Sequence, residues 1–584
     1  MPILEFLDCP LPADKNPELT KSQVSALARS CVEYLQADVK DGAKYVNIDD
    51  VSLSCLKVLA VLSREEANRA VLVDGGCLPQ LVDVIRECKR TDDLPIQALR
   101  ALANICIDND EHRQAVANVD ESIKSIVDFV GVTASQVTDL KSIEVEDAPQ
   151  LSVKTAICVG TVINLCNENE LMAQELLAAG ALPHVLSIYS GKFVSDSVRM
   201  SALSALEALT EQDEGKLALC AGDYPMKLFD ALVFTTDKEF EERPTELIES
   251  LVSDNEAMRQ KFVETLGLSK LIALASQLSD PVGDVASRVL AIIFTDDKYM
   301  QLALDDSSLH VIDRLLEWCK STDTTKRANA AFAFGNLARS ESACQQLMDA
   351  GVSLQLISML DSEDAREIHA IFGALRNLVI AKETRMALID AGLLDKLPKW
   401  AESFHMPVRF LLVSILRTLA SRDKEVGSLM ADDERILGMA MQLVGSDDEG
   451  TSSEAARVIA NIIKYSPKKE YIQTICEMGG LKGLNKLLTS KHMILQNDGL
   501  MALCLVGAIM GNSLVDVAYL EQCSRSVVNL SKSDEAIPDS IKQNCKQWLE
   551  IVAKNDALKS RIDSSERDTK AVGQMDNRIE SPQQ

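Results

Sequence analysis

The chain of 584 residues carries 60 basic and 88 acidic side chains, a net charge of −28, with 47% apolar and 4% aromatic residues. This acidity argues against unaided binding to a nucleic acid or an anionic membrane. It leaves two interpretations open, a basic partner or simple solubility. The apolar residues are mostly Leu, Ala, Ile and Val, which favour packed helices over β-sandwiches.

The N-terminal region predicts a cytosolic protein. Residues 1–20 lack the charged and apolar regions of a secretory leader, and we expect them to form a flexible segment. The 15 cysteines are scattered through the chain without a CxxC pair, which is typical of a reducing compartment. The longest uncharged stretch, 499–515, is too short to span a bilayer comfortably, so direct membrane insertion is not expected.

A helical repeat dominates the chain from residue 21 to residue 555. Asn336 recurs as Asn377 and Gly351 as Gly392, in both cases 41 residues later (377 − 336 and 392 − 351). A period near forty with helical patterning predicts a solenoid, here of about eleven repeats with capping helices. Each repeat begins with an apolar anchor segment; these start at Ser54, Gln97, Thr155, Ser201, Thr245, Val285, Asn329, His369, Phe410, Glu454 and Asn497.

Two segments interrupt this rhythm. Residues 131–150 lengthen the spacing between neighbouring anchors and predict an acidic surface loop. Residues 556–584 are rich in Ser, Asp, Arg and Gln, a composition that predicts a disordered tail.

Motifs of enzymatic chemistry are missing from the sequence. It contains no GxxxxGK[ST] phosphate loop, no HExxH and no GxSxG. The six histidines are far apart, and none pairs with a cysteine at metal-ligand spacing. We therefore expect no metal, no cofactor and no bond-making enzyme.

The anchor segments resemble armadillo repeats, with the pattern A-L-x-N-L-A at 102–106, 162–166, 335–338 and 375–379. The resemblance implies an all-α, right-handed armadillo-type superhelical solenoid whose asparagine-bearing helices line a concave groove. The alternative is that each asparagine bonds to a neighbouring helix end. The expected groove amides are those of Asn104, Asn164, Asn336, Asn377 and Asn461.

Longer phrases at 316–342, 369–381 and 475–510 resemble the armadillo-repeat stimulators of GDP dissociation from small GTPases, the SmgGDS-like family. That family binds Ras-, Rho- and Rap-type GTPases with polybasic, often prenylated C-termini. The resemblance implies a guanine-nucleotide exchange stimulator and a cytosolic chaperone, associated with the endoplasmic reticulum or mitochondria only through its client GTPases.

The resemblance also assigns candidate contact residues. It places Asn336 at the family's GTPase-contacting asparagine, whereas Ser340 replaces a second asparagine. Arg339, Arg376 and Asn377 would extend the same surface.

An acidic patch is the candidate site for a partner's basic tail. Its members could equally be a solvated helix surface. They are Glu207, Glu211, Glu246, Glu249, Asp254 and Glu256.

Two other functions are to be weighed against the sequence. A non-catalytic armadillo scaffold or adaptor that binds basic peptides or proteins is the main alternative. A nuclear import receptor is disfavoured because Trp318, Trp400 and Trp548 do not lie in an anchor beside an asparagine. We expect a monomer.

Overall fold

The computed structural model describes residues 19–40, 50–87, 93–138, 148–192, 194–233, 242–253, 255–277, 281–514, 517–532, 537–556 and 558–560. Within these ranges the regular structure is helical and contains no strand. The chain divides into two compact units, Met1–Ile293 and Phe294–Gln584. All eleven predicted anchors fall on helices, and the predicted all-α fold is confirmed.

The first unit stacks helices in the order anchor, second helix, third helix. In chain order its described α-helices are α1 Lys21–Lys40, α2 Asp50–Leu62, α3 Glu66–Asp74, α4 Cys77–Glu87, α5 Asp93–Ile105, α6 Asp110–Ala117, α7 Ser122–Thr138, α8 Ala148–Cys166, α9 Glu170–Ala178, α10 Ala181–Tyr189, α11 Asp196–Leu209, α12 Asp213–Leu219, α13 Tyr224–Leu232, α14 Glu242–Ser253, α15 Glu256–Leu266, α16 Leu268–Ala275 and α17 Pro281–Ile293.

The second unit continues the same order, with three short 3₁₀ helices at Ser307–Leu309, Pro398–Glu402 and Gly511–Leu514. Its described α-helices are α18 Asp297–Asp305, α19 Val311–Trp318, α20 Thr324–Leu337, α21 Glu341–Asp349, α22 Val352–Met359, α23 Ala365–Leu378, α24 Lys382–Asp390, α25 Leu393–Lys396, α26 Met406–Leu419, α27 Lys424–Asp432, α28 Glu434–Val444, α29 Glu449–Tyr465, α30 Lys469–Glu477, α31 Leu481–Leu488, α32 Met493–Met510, α33 Leu520–Ser531 and α34 Asp539–Ala553.

Glycine sets the turn between the second and third helices of a repeat. Gly351 has φ 80° and Gly392 has φ 89°, a left-handed conformation that side chains with a Cβ rarely adopt. The second helix therefore ends at a defined residue, and the third helix can fold back onto the anchor.

Two anchor helices approach each other closely at Gly335, near the candidate site. A Cβ at Gly335 would lie 3.4 Å from both Cα and N of Ala374, so α20 and α23 pack backbone to backbone there. Phe334 and Phe372 are fully buried beside this contact. Their burial holds the ends of the two anchors side by side.

The predicted acidic loop at 131–150 is wrong over its first eight residues. Residues 131–138 continue helix α7, with Thr133, Ala134 and Val137 buried. His184 of α10 would lie 2.8 Å from a Cβ at Gly131, so this turn packs against the neighbouring helix and stays helical. Residues 148–150 likewise belong to α8, and 139–147 lie outside the described residues.

The predicted tail also begins too early, because residues 558–560 are helical and Leu558 is fully buried. Its remainder, 561–584, lies outside the described residues, as do residues 1–18 of the predicted N-terminal segment.

Among the described residues, one apolar helical stretch, Met493–Leu514, is long enough to cross a membrane, with a mean hydropathy of 1.6. The bent pair α9 and α10 passes the same test only if its two helices count as one span, although they are bent by 89°. Within Met493–Leu514 the side chains of Leu500, Leu503 and Val506 are fully buried. Helix α32 packs on α29, α31 and α34.

A buried ion pair joins α20 to α23. Arg327 donates from Nε to Oε1 of Glu367 at 2.7 Å and from Nη2 to Oε2 at 2.7 Å. Oε2 also accepts from Oγ of Ser362 at 2.6 Å. The Glu367 side chain is 1% exposed, so its charge depends on these protein partners.

We predict that Glu367→Ala lowers the free energy of unfolding by about 3 kcal/mol, because it leaves the Arg327 charge without its partner. Urea unfolding followed by circular dichroism measures this. Asp361→Ala is the control, since Asp361 pairs with Lys396 and Lys399 at the exposed surface. The control should unfold at the wild-type urea concentration. Equal midpoints for the two variants would contradict the prediction.

Candidate polar cavity

A cavity of about 550 Å³ opens in the second unit, where the ends of α20 and α23 meet the start of α21. Amide, carboxylate, guanidinium, hydroxyl and thiol groups share it with a few apolar side chains. The lining residues are Thr295, Gly335, Asn336, Ala338, Arg339, Ser340, Glu341, Cys344, Asn377, Ile380 and Ala381.

Four of the predicted contact residues, Asn336, Arg339, Ser340 and Asn377, line this cavity together. The fifth, Arg376, precedes Asn377 on α23 and is exposed. The register of the anchor helices therefore brings residues from two successive repeats to one site.

Ser340 and Arg339 have defined structural roles. Ser340 is the N-cap of α21, and its Oγ accepts a hydrogen bond from the backbone N–H of Ala343 at 3.1 Å. Serine thus serves as a helix cap where the resemblance expects a second asparagine. Arg339 donates to the carbonyl of Thr295 and pairs with Oδ1 of Asp297 at 3.0 Å. Its guanidinium is therefore directed toward the start of α18.

The predicted groove amides fasten successive anchor helices together. Each acceptor carbonyl lies two residues before the end of the preceding anchor, where helix carbonyls lack partners within the helix. The alternative interpretation, a bond to a neighbouring helix end, is therefore right for Asn104, Asn164, Asn377 and Asn461. The bonds run from Nδ2 of Asn104 to Ala60 at 3.2 Å, of Asn164 to Ala103 at 2.9 Å, of Asn377 to Gly335 at 2.8 Å and of Asn461 to Arg417 at 3.1 Å.

Burial divides these asparagines. Asn461 is 5% exposed, so the expectation of a groove-facing amide is wrong there: its Nδ2 is used inside the stack. Asn104, Asn164, Asn336 and Asn377 are half-buried. Each of these four residues is therefore partly accessible to solvent and to a partner.

The acidic patch is partly neutralised by arginines. Glu207 accepts two hydrogen bonds from Arg243, and Glu249 lies 2.7 Å from Nε of Arg288. Burial raises the pKa of Glu249; Arg288 opposes this and Glu246 adds to it. These two carboxylates belong to contacts between anchor helices and are poorly placed to receive a tail.

Three other members of the acidic patch, unlike Glu207 and Glu249, are exposed to solvent. Glu211, Glu246 and Glu256 are exposed, so their carboxylates remain open to a basic group. Asp254 lies outside the described residues.

Sequence reasoning missed Glu341, Cys344 and Ile380 as members of the site. Burial raises the pKa of the Cys344 thiol, and the nearby Glu341 carboxylate raises it further. The thiol is therefore held in its neutral form. Within the described residues no group of three or more His, Cys, Asp or Glu side chains is arranged to hold a metal ion. What the cavity offers is hydrogen bonding to a polar or charged group.

Comparison with known proteins confirms the resemblance found in the sequence. The chain is 26% identical over 465 residues to Rap1 GTPase-GDP dissociation stimulator 1-A of Xenopus laevis, covering 77% of this chain and 74% of that protein. It is 22% identical over 575 residues to the GTPase-GDP dissociation stimulator vimar of Drosophila melanogaster, covering 88% of each. A family model described as the BEM4 N-terminal domain matches residues 33–211.

Solved structures with a similar fold include two man-made proteins. An engineered protein covers 84% of the chain at 20% identity, with a TM-score of 0.46. A designed armadillo repeat protein covers 41% of the chain at 22% identity, with a TM-score of 0.38. The chain covers 99% of each of these proteins.

Proposed function

We propose that this chain, a homologue of the GTPase-GDP dissociation stimulators, binds small GTPases and promotes release of their bound GDP. The observation that carries the proposal is homology over most of the chain, combined with a cavity that gathers four of the predicted contact residues. We further propose that it acts in the cytosol as a monomer. Its clients would be GTPases of the Ras, Rho and Rap type.

Such a function requires no acid, base or metal from this protein. An exchange stimulator binds the nucleotide-free GTPase more tightly than the nucleotide-loaded form, and this difference in affinity weakens nucleotide binding by the same factor. Asn336 and Asn377 support the proposal because half-buried amides both donate and accept hydrogen bonds. They could hold the backbone of a loop that changes shape when the nucleotide leaves.

The fixed positions of the cavity side chains also favour binding of a GTPase loop. The Asn377 amide is already fixed by its bond to Gly335, and Ser340 is fixed as a helix cap. A partner loop would therefore meet groups whose conformational entropy has been lost on folding, which lowers the cost of binding.

The acidic residues Glu211, Glu246 and Glu256 are proposed to attract the basic C-terminal tail of a client. Opposite charges raise the rate of encounter at low ionic strength, and salt screens the effect. A chaperone role toward clients that are prenylated, or about to be, belongs to the same proposal. The net charge of −28 supports attraction of a basic tail.

We predict that Asn336→Ala slows stimulated release of a fluorescent GDP analogue from Rap1 or a Rho-type GTPase by about tenfold, within the usual range of coupling free energies of about 1–3 kcal/mol. Stopped-flow fluorescence measures the rate. The matched control is Asn118→Ala, which removes an exposed asparagine after α6. The control should stimulate release as the wild type does.

Wild-type release by a natively folded Asn336→Ala variant would reject the assigned role. Release that is unstimulated by the wild type with every GTPase tried would instead favour the adaptor. A pull-down with the isolated basic tail would then test that alternative.

We predict that the double variant Glu246→Lys/Glu256→Lys reduces the rate of association with a GTPase that carries a polybasic tail, and that this reduction shrinks as salt is added. Stopped-flow association at several salt concentrations measures it. Glu470→Lys/Glu550→Lys changes the net charge equally at two exposed positions of the second unit. Equal slowing by both double variants would show that net charge, rather than this patch, attracts the tail.

A further inference from the structure

Arginines on the second helices close the ends of the anchor helices in several repeats. Each lies four residues after the N-cap of its helix, so they share one structural position: Arg69 after Glu65, Arg113 after Asn109, Arg259 after Asn255 and Arg385 after Ala381. We call this position the capping position.

At the capping position the guanidinium donates to carbonyls at the end of the repeat's own anchor. The guanidinium groups of Arg69, Arg113 and Arg385 also reach the end of the next anchor. Arg113 donates from Nε to Cys106 at 3.2 Å and to Asn164 at 2.8 Å. Arg69 reaches Ser63 at 3.3 Å and Ile107 at 3.2 Å.

The other two arginines act similarly. Arg385 donates to Val379 at 2.9 Å and to Ser421 at 2.7 Å, and Arg259 donates to Ser253 at 3.2 Å. A cation suits this place because carbonyls at a helix C-terminus lack partners and carry the negative end of the helix dipole.

In the repeat that forms the cavity, the capping position holds Cys344, four residues after the N-cap Ser340. Its Sγ lies 4.0 Å from the carbonyl oxygen of Asn377, and a thiol is a weak donor. Cys344, Ala338 at the end of α20, and Asn377 in the last turn of α23 all line the cavity. The cavity thus lies at the ends of two anchors, where Arg113 and Arg385 place a guanidinium in their own repeats.

Short side chains at the capping position do not always leave space. Gly427 holds it on α27, where a Cβ would lie 2.6 Å from Oγ of Ser466. That hydroxyl donates to the carbonyl of Lys424 at 3.0 Å, so the space beside Gly427 is already filled. In other repeats the capping position holds Ala173, Lys216, Met300 or Ile472. Cys344 is a short side chain at this position that lines the described cavity.

The charges around the cavity also suit a cation. The exposed carboxylate of Glu341 lines it. Arg339, the basic side chain in the lining, is engaged by the carbonyl of Thr295 and by Asp297. An incoming cation would meet a carboxylate and helix-end carbonyls.

We propose that the cavity receives an arginine side chain from the protein partner, which takes the place that the chain's own arginines occupy in other repeats. A guanidinium fits better than an ammonium group because its planar fork can donate to two helix ends at once. The partner's identity rests on the proposed function; the preference for arginine rests on the cavity alone.

The test uses the full-length chain with Cys344→Arg, which should supply the cap from within and fill the cavity. Cys344→Ala is the matched control that keeps the cavity open. We expect Cys344→Arg to weaken binding of the nucleotide-free GTPase by roughly tenfold or more, as for loss of a buried charged contact. We expect its thermal unfolding temperature to equal or exceed that of Cys344→Ala.

A small ligand tests binding to the cavity independently of the GTPase. Saturation-transfer NMR should detect argininamide on the wild type and on Cys344→Ala, more strongly than lysinamide, with alaninamide as the blank. Cys344→Arg should lose that signal. Argininamide binding without any GTPase binding would reject the proposed function and leave the cavity assignment standing.

Three results would overturn the inference. One is no argininamide signal on the wild type. Another is an argininamide signal no stronger than that of lysinamide on the wild type and on Cys344→Ala, a comparison that does not need Cys344→Arg to fold. The third is a folded Cys344→Arg variant that binds argininamide and the GTPase as the wild type does.

Discussion

The carbonyl groups at the ends of the anchor helices are the constraint on which this architecture depends. A helix leaves its last carbonyls without partners, and burying such groups unpaired is costly. Here the asparagine of the next anchor satisfies one carbonyl, as Asn377 does for Gly335. An arginine from a second helix satisfies others, as Arg385 does for Val379 and Ser421. The same hydrogen bonds therefore hold successive repeats together and supply partners for the carbonyls at the helix ends.

The same chemistry explains why a binding site can arise without distorting the stack. In the Cys344 repeat the two helix ends remain close because Gly335 packs on Ala374, while the Arg327–Glu367 pair joins the starts of the same two helices. The polar cavity therefore lies between helices that are held in place by packing. An arginine from a partner would add there the donor that Arg69, Arg113, Arg259 and Arg385 supply in their own repeats.

Much of the fold was predictable because its causes are local and periodic. The 41-residue recurrence of Asn336 and Gly351, and the apolar anchors, placed the helices correctly. The roles of the asparagines were not predictable, because an amide in this register looks the same in sequence whether it faces a partner or the preceding helix end. The pairing of Glu249 with Arg288 was also not predictable, because the two residues belong to different repeats. The loop predicted at 131–138 failed because burial against His184 outweighed a polar composition. The sequence did contain one sign of the cavity: Cys344 stands at the position that Arg385 holds in the next repeat. This difference becomes visible only when the repeats are aligned by the N-caps of their second helices.

Hydrogen exchange of the backbone, followed by mass spectrometry with and without a nucleotide-free GTPase, tests whether the cavity at the anchor ends receives the partner. We predict slower exchange on binding in peptides that cover 335–345 and 376–382, the two sides of the cavity. Unchanged exchange in both segments, with protection confined to other parts of the chain, would contradict it.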